Sequence, residues 1–390
     1  MLYLISVLSD FSSFIIVFTV SRKLADLHFG SSYLGMIGAG LSFSSGMGAI
    51  LGGSLSSRYD GRIVFLTGVS LVVASGLLCA QLMPGTMIFL PAYWLLGLGL
   101  GLLYPPLIGW LNQDEDAHAQ RSNISRRLIF FCISWNLGMM AGQLLGGRLY
   151  EQGIAWTIGT GLGAACLNLL MAVVAVTLVR PIQPVIIVGD PVPPAKVKMA
   201  NTFKRLGWIA NLGGVFGGAM VIHLLPDLMV SLGIPAKSHG GLLAGWRCVI
   251  IASYLVMYGL TFWHYRFGVS IASQVLGALG LMVIALAETK SMFFLGLALQ
   301  GQLIGFNYYS GLFYSTSGSK QEGRALAAGI HEATLAIGMS LGTIAGGWLG
   351  SVAGPRAPYW MSAGFILFLI AVQITARQRW ETDRSENESI

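Results

Sequence analysis

Twelve times along the chain the sequence runs apolar for about 20 residues or more, and that repetition decides what the chain can become. A helix rises about 1.5 Å per residue, so each run is long enough to cross the roughly 30 Å hydrocarbon core of a bilayer. In lipid every backbone N–H and C=O must be satisfied within the segment, which leaves the helix as the spanning form for runs of this kind. The runs cover 2–21, 32–56, 63–82, 87–111, 128–149 and 155–178, then 206–232, 240–262, 268–287, 292–315, 325–350 and 357–376. Of the 390 residues 55% are hydrophobic and only 10% are charged, where a soluble domain carries about 25% charged residues. This excludes a soluble enzyme, a disordered chain and a nucleic-acid binder. The net charge of +7 comes from Lys and Arg set between the apolar runs. The expected fold class is therefore an all-α membrane protein of twelve transmembrane helices.

Most connections between runs are short, such as 83–86 and 288–291. The longer ones are 112–127 and the proline-bearing stretch around Pro181, Pro184, Pro191, Pro193 and Pro194. The latter divides the chain into a six-helix bundle at 1–179, a cytoplasmic linker at 180–205, and a second six-helix bundle at 206–390 with a short acidic tail. The first run has no basic segment before it and no small-residue cleavage site, so it is expected to be a span rather than a signal peptide. With both termini placed in the cytoplasm, 16 Lys and Arg fall inside, six fall outside and Arg247 lies within a span. Positive charge collects on the cytoplasmic side of membrane proteins, so this split supports cytoplasmic termini. The compact loops point to a bacterial plasma (inner) membrane. Cys79, Cys132, Cys166 and Cys248 all lie in apolar runs without C-x-x-C spacing, which argues against a disulfide framework or a metal site.

The two halves resemble each other. Gly97, Gly101 and Tyr104 of span four return as Gly301, Gly305 and Tyr308 of span ten. Gly138, Met139, Gly142, Gly146, Gly147 and Leu149 of span five return 200 residues later as Gly338, Met339, Gly342, Gly346, Gly347 and Leu349 of span eleven. Parallel six-helix repeats are a transporter architecture with the solute site between the halves at mid-membrane. Gly138, Gly142 and Gly146 lie four residues apart on one helix face, as do Gly338, Gly342 and Gly346. Such faces let another backbone approach closely, and their expected role is helix packing.

Between spans two and three stands Gly53-Ser-Leu55-Ser-Ser57-Arg58-Tyr-Asp60-Gly61-Arg62. It resembles the loop signature of the major facilitator superfamily, G-x-L-x-D-R-x-G-R-R, with Ser57 at the family's aspartate and the glycine displaced by one. Span five's Gly138-x-x-x-Gly142-Gln143-x-x-Gly146-Gly147 resembles the family's exporter-associated G-x-x-x-G-P-x-x-G-G, with Gln143 at the proline. The family's arginine in span four is missing, and Tyr93 stands near its place. The resemblance implies two pseudo-symmetric bundles and alternating access, with Arg58, Asp60 and Arg62 latching the halves on the cytoplasmic side.

Ionisable groups within spans are costly and usually face a cavity or a partner. Asp10, His223, Asp227, Arg247, His331 and Glu332 are such groups. A carboxyl group in a span is a place where a proton can bind and leave, which makes Asp10 and Glu332 the proton-coupling candidates, with His331 beside Glu332 as a possible relay. Adjacent residues point about 100° apart around a helix, so His331 and Glu332 face different neighbours. Candidates for lining a substrate cavity are Tyr104, Asn136, Gln143, Tyr308, His223 and Arg247. Arg247 needs a partner: Asp227 or His223 at similar depth, the favoured pairing, or an anionic substrate. Overlaying 21–35 on 226–241 sets Arg22 opposite Asp227, an expected latch between the outer ends of the halves.

The expected function is secondary active transport of a small organic solute, coupled to protons and leaning toward export. The partners are that solute, protons and the lipid bilayer, with no nucleic acid, cofactor or metal. An ATP site G-x-x-x-x-G-K-[ST] is absent, as is H-E-x-x-H. Two alternatives stay open: a transporter-like sensor or scaffold that binds without moving its ligand, and a polytopic membrane enzyme.

Overall fold

A computed structural model describes residues 1–111, 121–178, 194–317 and 324–387, and every regular element among them is helical. The first half comprises α1 (Leu2–Asp26), α2 (Gly30–Arg58), α3 (Gly61–Gln81), α4 (Phe89–Leu111), α5 (Arg121–Gln152) and α6 (Ile154–Leu178). The second opens with α7 (Pro194–Ala219), which runs through a π-turn at Met220–Leu224 into α8 (Leu225–Ser231), the three making one span. It continues with α9 (Ala236–Gly259), α10 (Phe267–Leu286), α11 (Lys290–Ser317), α12 (Arg324–Ala353) and α13 (Ala357–Asn387).

Eleven of these spans are both long and apolar enough to cross a membrane. The twelfth, α11, has the length at 28 residues but carries Gln300, Gln302, Asn307, Tyr308 and Tyr309. Three of these side chains bond other helices of the second half. Trp246 Nε1 donates to Gln300 Oε1 at 2.6 Å, Asn307 donates to the Ala210 carbonyl at 2.7 Å, and Gln302 donates to the Ser273 carbonyl at 2.8 Å. Side chains bonded to a neighbouring helix do not need water, so such a helix still belongs in the bilayer.

Several helices outrun their apolar cores. Pro194, in the stretch read from sequence as linker, starts α7, as suits a residue whose missing N–H costs nothing in a first helical turn. At the other end α13 carries on to Asn387, through the first part of the acidic tail. The prolines Pro181, Pro184, Pro191 and Pro193 lie outside the described residues.

In each half one span is central. The α1 and α7–α8 spans are 78% and 83% buried, against 33–56% for the other nine. The glycine faces explain how the rest gather around them. A Cβ on Gly142 would stand 2.7 Å from the Phe11 carbonyl oxygen of α1, and one on Gly342 would stand 2.6 Å from the Phe216 carbonyl oxygen of α7. So α5 lies backbone to backbone on α1, and α12 does the same on α7, the internal repeat made visible. Lipid is as apolar as the side chains, so this close contact replaces hydrophobic collapse as the force between helices. The halves meet along two seams, α2 against α12 and α5 against α9.

Candidate functional site

Two turns into α1, Asp10 is buried in the centre of the first half. The Tyr104 hydroxyl of α4 donates to its Oδ2. Gly138 brings α5 onto α1 at this level: a Cβ there would come within 3.0 Å of Asp10 Cβ and of the Phe11 nitrogen. Asn136 and Trp135 of α5 instead meet the second half, Asn136 at Arg247 and Trp135 at Tyr308.

From the second half, Arg247 of α9 reaches across the seam. Its Nη1 donates to Asn136 Oδ1 at 3.4 Å. Its guanidinium carbon lies 4.3 Å from the centre of the Trp246 ring and 5.5 Å from that of Phe14 on α1. Arg247 is only 3% exposed. No carboxylate of the described residues stands within ion-pair distance of it. Arg247 and Asp10 are close enough to feel each other's charge. Yet Arg247 Nε and Asp10 Oδ1 are both buried without a hydrogen-bond partner.

Tyr254, two turns beyond Arg247 on the same helix face, lies 6.1 Å from the Tyr308 ring of α11. Tyr308 in turn meets Trp135 of the first half edge-to-face at 5.7 Å. Its hydroxyl reaches Glu332 Oε1 of α12 at 3.5 Å. Glu332 is exposed, in contrast to Asp10, and His331 beside it turns away, buried against Gly311 and 5.3 Å from the Tyr308 ring. The two differ in exposure but share a neighbour, Glu332 meeting the Tyr308 hydroxyl and His331 its ring. The repeat is also visible here. Tyr104 and Tyr308 are equivalent by sequence, and each turns to a carboxylate. Cys132 and Glu332, 200 residues apart, lie within electrostatic reach of each other. The cluster's aromatic members Phe14, Trp135, Trp246 and Tyr254 were not singled out from sequence; Tyr254 alone left a trace, seven residues from Arg247 on one helical face.

Other candidates lie apart from this cluster. Gln143 is buried two turns further along α5, where its carbonyl meets Gly240 of α9. His223, on the π-turn, packs its ring against Gly38 of α2. Asp60 caps α3, accepting from the Arg62 backbone N–H at 2.9 Å, in an exposed turn with Arg58 at the end of the bundle that bears the termini.

At the opposite, far end the halves are bolted together. Ser31 Oγ of α2 donates to Asp227 of α8. Arg22 Nη1 donates to the Ile234 carbonyl at 2.9 Å while its Nε holds Asp26 at 3.1 Å. Glu151 of α5 accepts the Lys237 N–H of α9 at 2.9 Å, and Ser32 meets Ser351 at 2.8 Å. Gly147 abuts Gly240, and Gly347 abuts Gly35, so each seam closes on a pair of glycines. The Arg22–Asp227 pair expected from the overlay is not formed, nor is an Arg247 pairing with Asp227 or His223. The reasons are local: α1 continues to Asp26, one turn beyond Arg22, and Asp227 opens α8 facing Ser31 instead.

A groove of about 530 Å³ runs between α2, α4 and α12, with Met36, Phe43, Trp94, Ile344 and Trp348 in its walls. Its lining holds no titratable group, in contrast to the polar centre.

Two pseudo-symmetric six-helix halves with titratable groups gathered at their seam define a class: polytopic membrane transporters built on an internal repeat. The sequence profile of the Major Facilitator Superfamily matches residues 2–319, and the chain belongs to that family. It is a membrane transporter, not an enzyme. Among curated proteins none matches the sequence. Solved structures share the fold at low identity. A bacterial homolog to the human lysosomal transporter Spinster, inward-facing and occupied, superposes with a TM-score of 0.73 at 12% identity, over 97% of this chain and 95% of that one. The POT family transporter PepTSo gives 0.72 at 10% identity over 97% and 98%. The human organic anion transporter MFSD10 (TETRAN) gives 0.64 at 16% identity over 95% and 98%.

Proposed function

We propose that the protein moves a small organic solute by alternating access and couples that movement to protons. The observation that carries the reading is the meeting, at the seam between the halves, of a buried arginine and two carboxyl groups, each approached by a tyrosine of the internal repeat. Groups this costly in a membrane interior mark solute and ion pathways. In this state the far end is closed and Glu332 is open to water. With the termini in the cytoplasm of a bacterial cell, as the Lys and Arg distribution favours, the site faces inward through the plasma membrane. Asp10 and Glu332 carry the proton, Arg58, Asp60 and Arg62 close the cytoplasmic side in the opposite state, and the near match of span five to the exporter motif favours export.

The test is flux in proteoliposomes, screened over a panel of labelled metabolites with and without a pH gradient. Gradient-dependent accumulation of a panel member supports the reading. Tight binding of a member that never crosses the membrane would instead make the protein a sensor or scaffold.

A further inference from the structure

Burying a guanidinium in a membrane protein is tolerated when a negative partner comes with it. Arg247 has an amide oxygen at 3.4 Å, two aromatic faces and no carboxylate at ion-pair distance. Its Nε has no acceptor although it is buried. The carboxylate close enough to sense it, Asp10, is turned to Tyr104. The site is thus built around a cation whose donors are incompletely used.

Resting on the transport reading above, we infer that Arg247 docks the carboxylate of a solute with a compact aromatic body. The charge count sets the head group. One guanidinium balances one negative charge, and a dianion such as a phosphate monoester would leave a buried excess that nothing in the cluster neutralises. The planar fork of an arginine matches a carboxylate, using Nε and one Nη as parallel donors. Nε is the donor left idle. The surroundings set the body: Trp246 and Phe14 flank the guanidinium, and two turns along α9 Tyr254 opens a run of rings through Tyr308 to Trp135, with centres 6.1 and 5.7 Å apart. Rings at such spacings favour stacking or edge contact with another ring. Asp10 then has a second consequence. A solute carboxylate at Arg247 and an ionised Asp10 would compete for one cation. The anion therefore enters with a proton on Asp10, and charge is conserved as one anion and one proton taken up together. The groups that sense Asp10 are Tyr104 from α4 and Arg247 from α9; Cys132, Tyr254, Tyr308 and Glu332 interact among themselves and meet Arg247 through Tyr254.

The experiment uses the purified full chain and three probes with one body: 3-phenylpropionate, 3-phenylpropionamide and 3-phenylpropylamine. Binding is read by calorimetry and by the rise in melting temperature that a ligand of the folded state produces. The wild type is expected to bind the carboxylate at least tenfold more tightly than the amide or the amine. Arg247→Gln is expected to weaken carboxylate binding about 10–100-fold, the usual loss for a charge-assisted hydrogen bond, with Arg247→Lys in between. Calorimetry in two buffers of different ionisation enthalpy is expected to show about one proton taken up per anion in the wild type and none in Asp10→Asn. Equal binding of the three probes, preference for the amine, or no binding of the carboxylate would overturn the inference, and these comparisons need no variant to fold. The two readings fail separately. Flux of other solutes without carboxylate binding would remove this solute class and leave the transporter. A carboxylate that binds but is never carried would do the reverse.

Discussion

At the level of single residues, the two tyrosine–carboxylate couples look alike in sequence but differ in physics. Both tyrosines are half-buried, but Tyr104 meets an Asp10 that is buried, whereas Tyr308 reaches an exposed Glu332 at 3.5 Å. A buried acceptor deprived of its donor costs about 1–3 kcal/mol, and an accessible one is rescued by water. Tyr104→Phe is therefore expected to lower the melting temperature by several degrees and to weaken solute binding, while Tyr308→Phe changes stability by less than about 0.5 kcal/mol. Matching losses in the two variants would show that Asp10 is as wet as Glu332. The carboxyl groups themselves are tested by Asp10→Asn and Glu332→Gln. Each is expected to abolish accumulation driven by a pH gradient while exchange of solute across the membrane continues. Undiminished accumulation in the double variant would remove both from the proton path. The sequence picked out Asp10, Tyr104, Asn136, Tyr308, Arg247 and Glu332 because polar groups in apolar runs are conspicuous. It did not pair them. Arg247 and Asp227 look alike in depth by sequence, but in the fold Arg247 stands eleven residues into α9, against Asn136, while Asp227 stands four residues from the end of α8, against Ser31.

At the scale of the helices, glycine decides which backbones touch. A Cβ on Gly338 would stand 2.9 Å from the Leu212 carbonyl oxygen, whereas Gly163 of α6 and Gly364 of α13 have nothing within 4 Å. Gly138→Ala and Gly338→Ala are therefore expected to reduce the yield of folded protein, and Gly142→Leu and Gly342→Leu to abolish it or the transport, since overpacking costs roughly 1–3 kcal/mol or more. Gly163→Ala and Gly364→Ala should be neutral or stabilising by up to about 1 kcal/mol, through helix propensity. Expression and melting temperature measure both sets, and equal tolerance of all these substitutions would contradict the assigned packing. The glycine spacing was legible because a four-residue repeat marks a face whatever the fold. What that face meets was not: nothing in the spacing says that Gly142 rests on α1 while Gly147, five residues on, rests on α9 of the other half. The π-turn that carries His223 was equally hidden, because one extra residue in a helical turn leaves no compositional mark.

At the scale of the whole molecule, the fold was readable from run lengths and the internal repeat, since a bilayer leaves a long apolar run few alternatives. The conformational state was not, because the same helices with the same faces serve a molecule open at either end. In the state seen here the halves are bonded at the far end through Ser31–Asp227, Arg22–Ile234, Glu151–Lys237 and Ser32–Ser351. Each is a modest interaction, and two conformations of similar energy need only small differences to exchange. If the solute leaves by the far side, all of these contacts must break in every cycle. Ser32 and Ser351 are both exposed and their hydroxyls are 2.8 Å apart, which suits a reversible lock. The direct test is flux through Ser32→Cys/Ser351→Cys protein, with Cys79, Cys132, Cys166 and Cys248 replaced by alanine, in proteoliposomes loaded with the solute identified by the metabolite panel. Oxidised protein is expected to bind solute yet carry none, and reduction should restore the flux of the uncrosslinked protein. Fully cross-linked protein that transports at the reduced rate would contradict alternating access between these two halves.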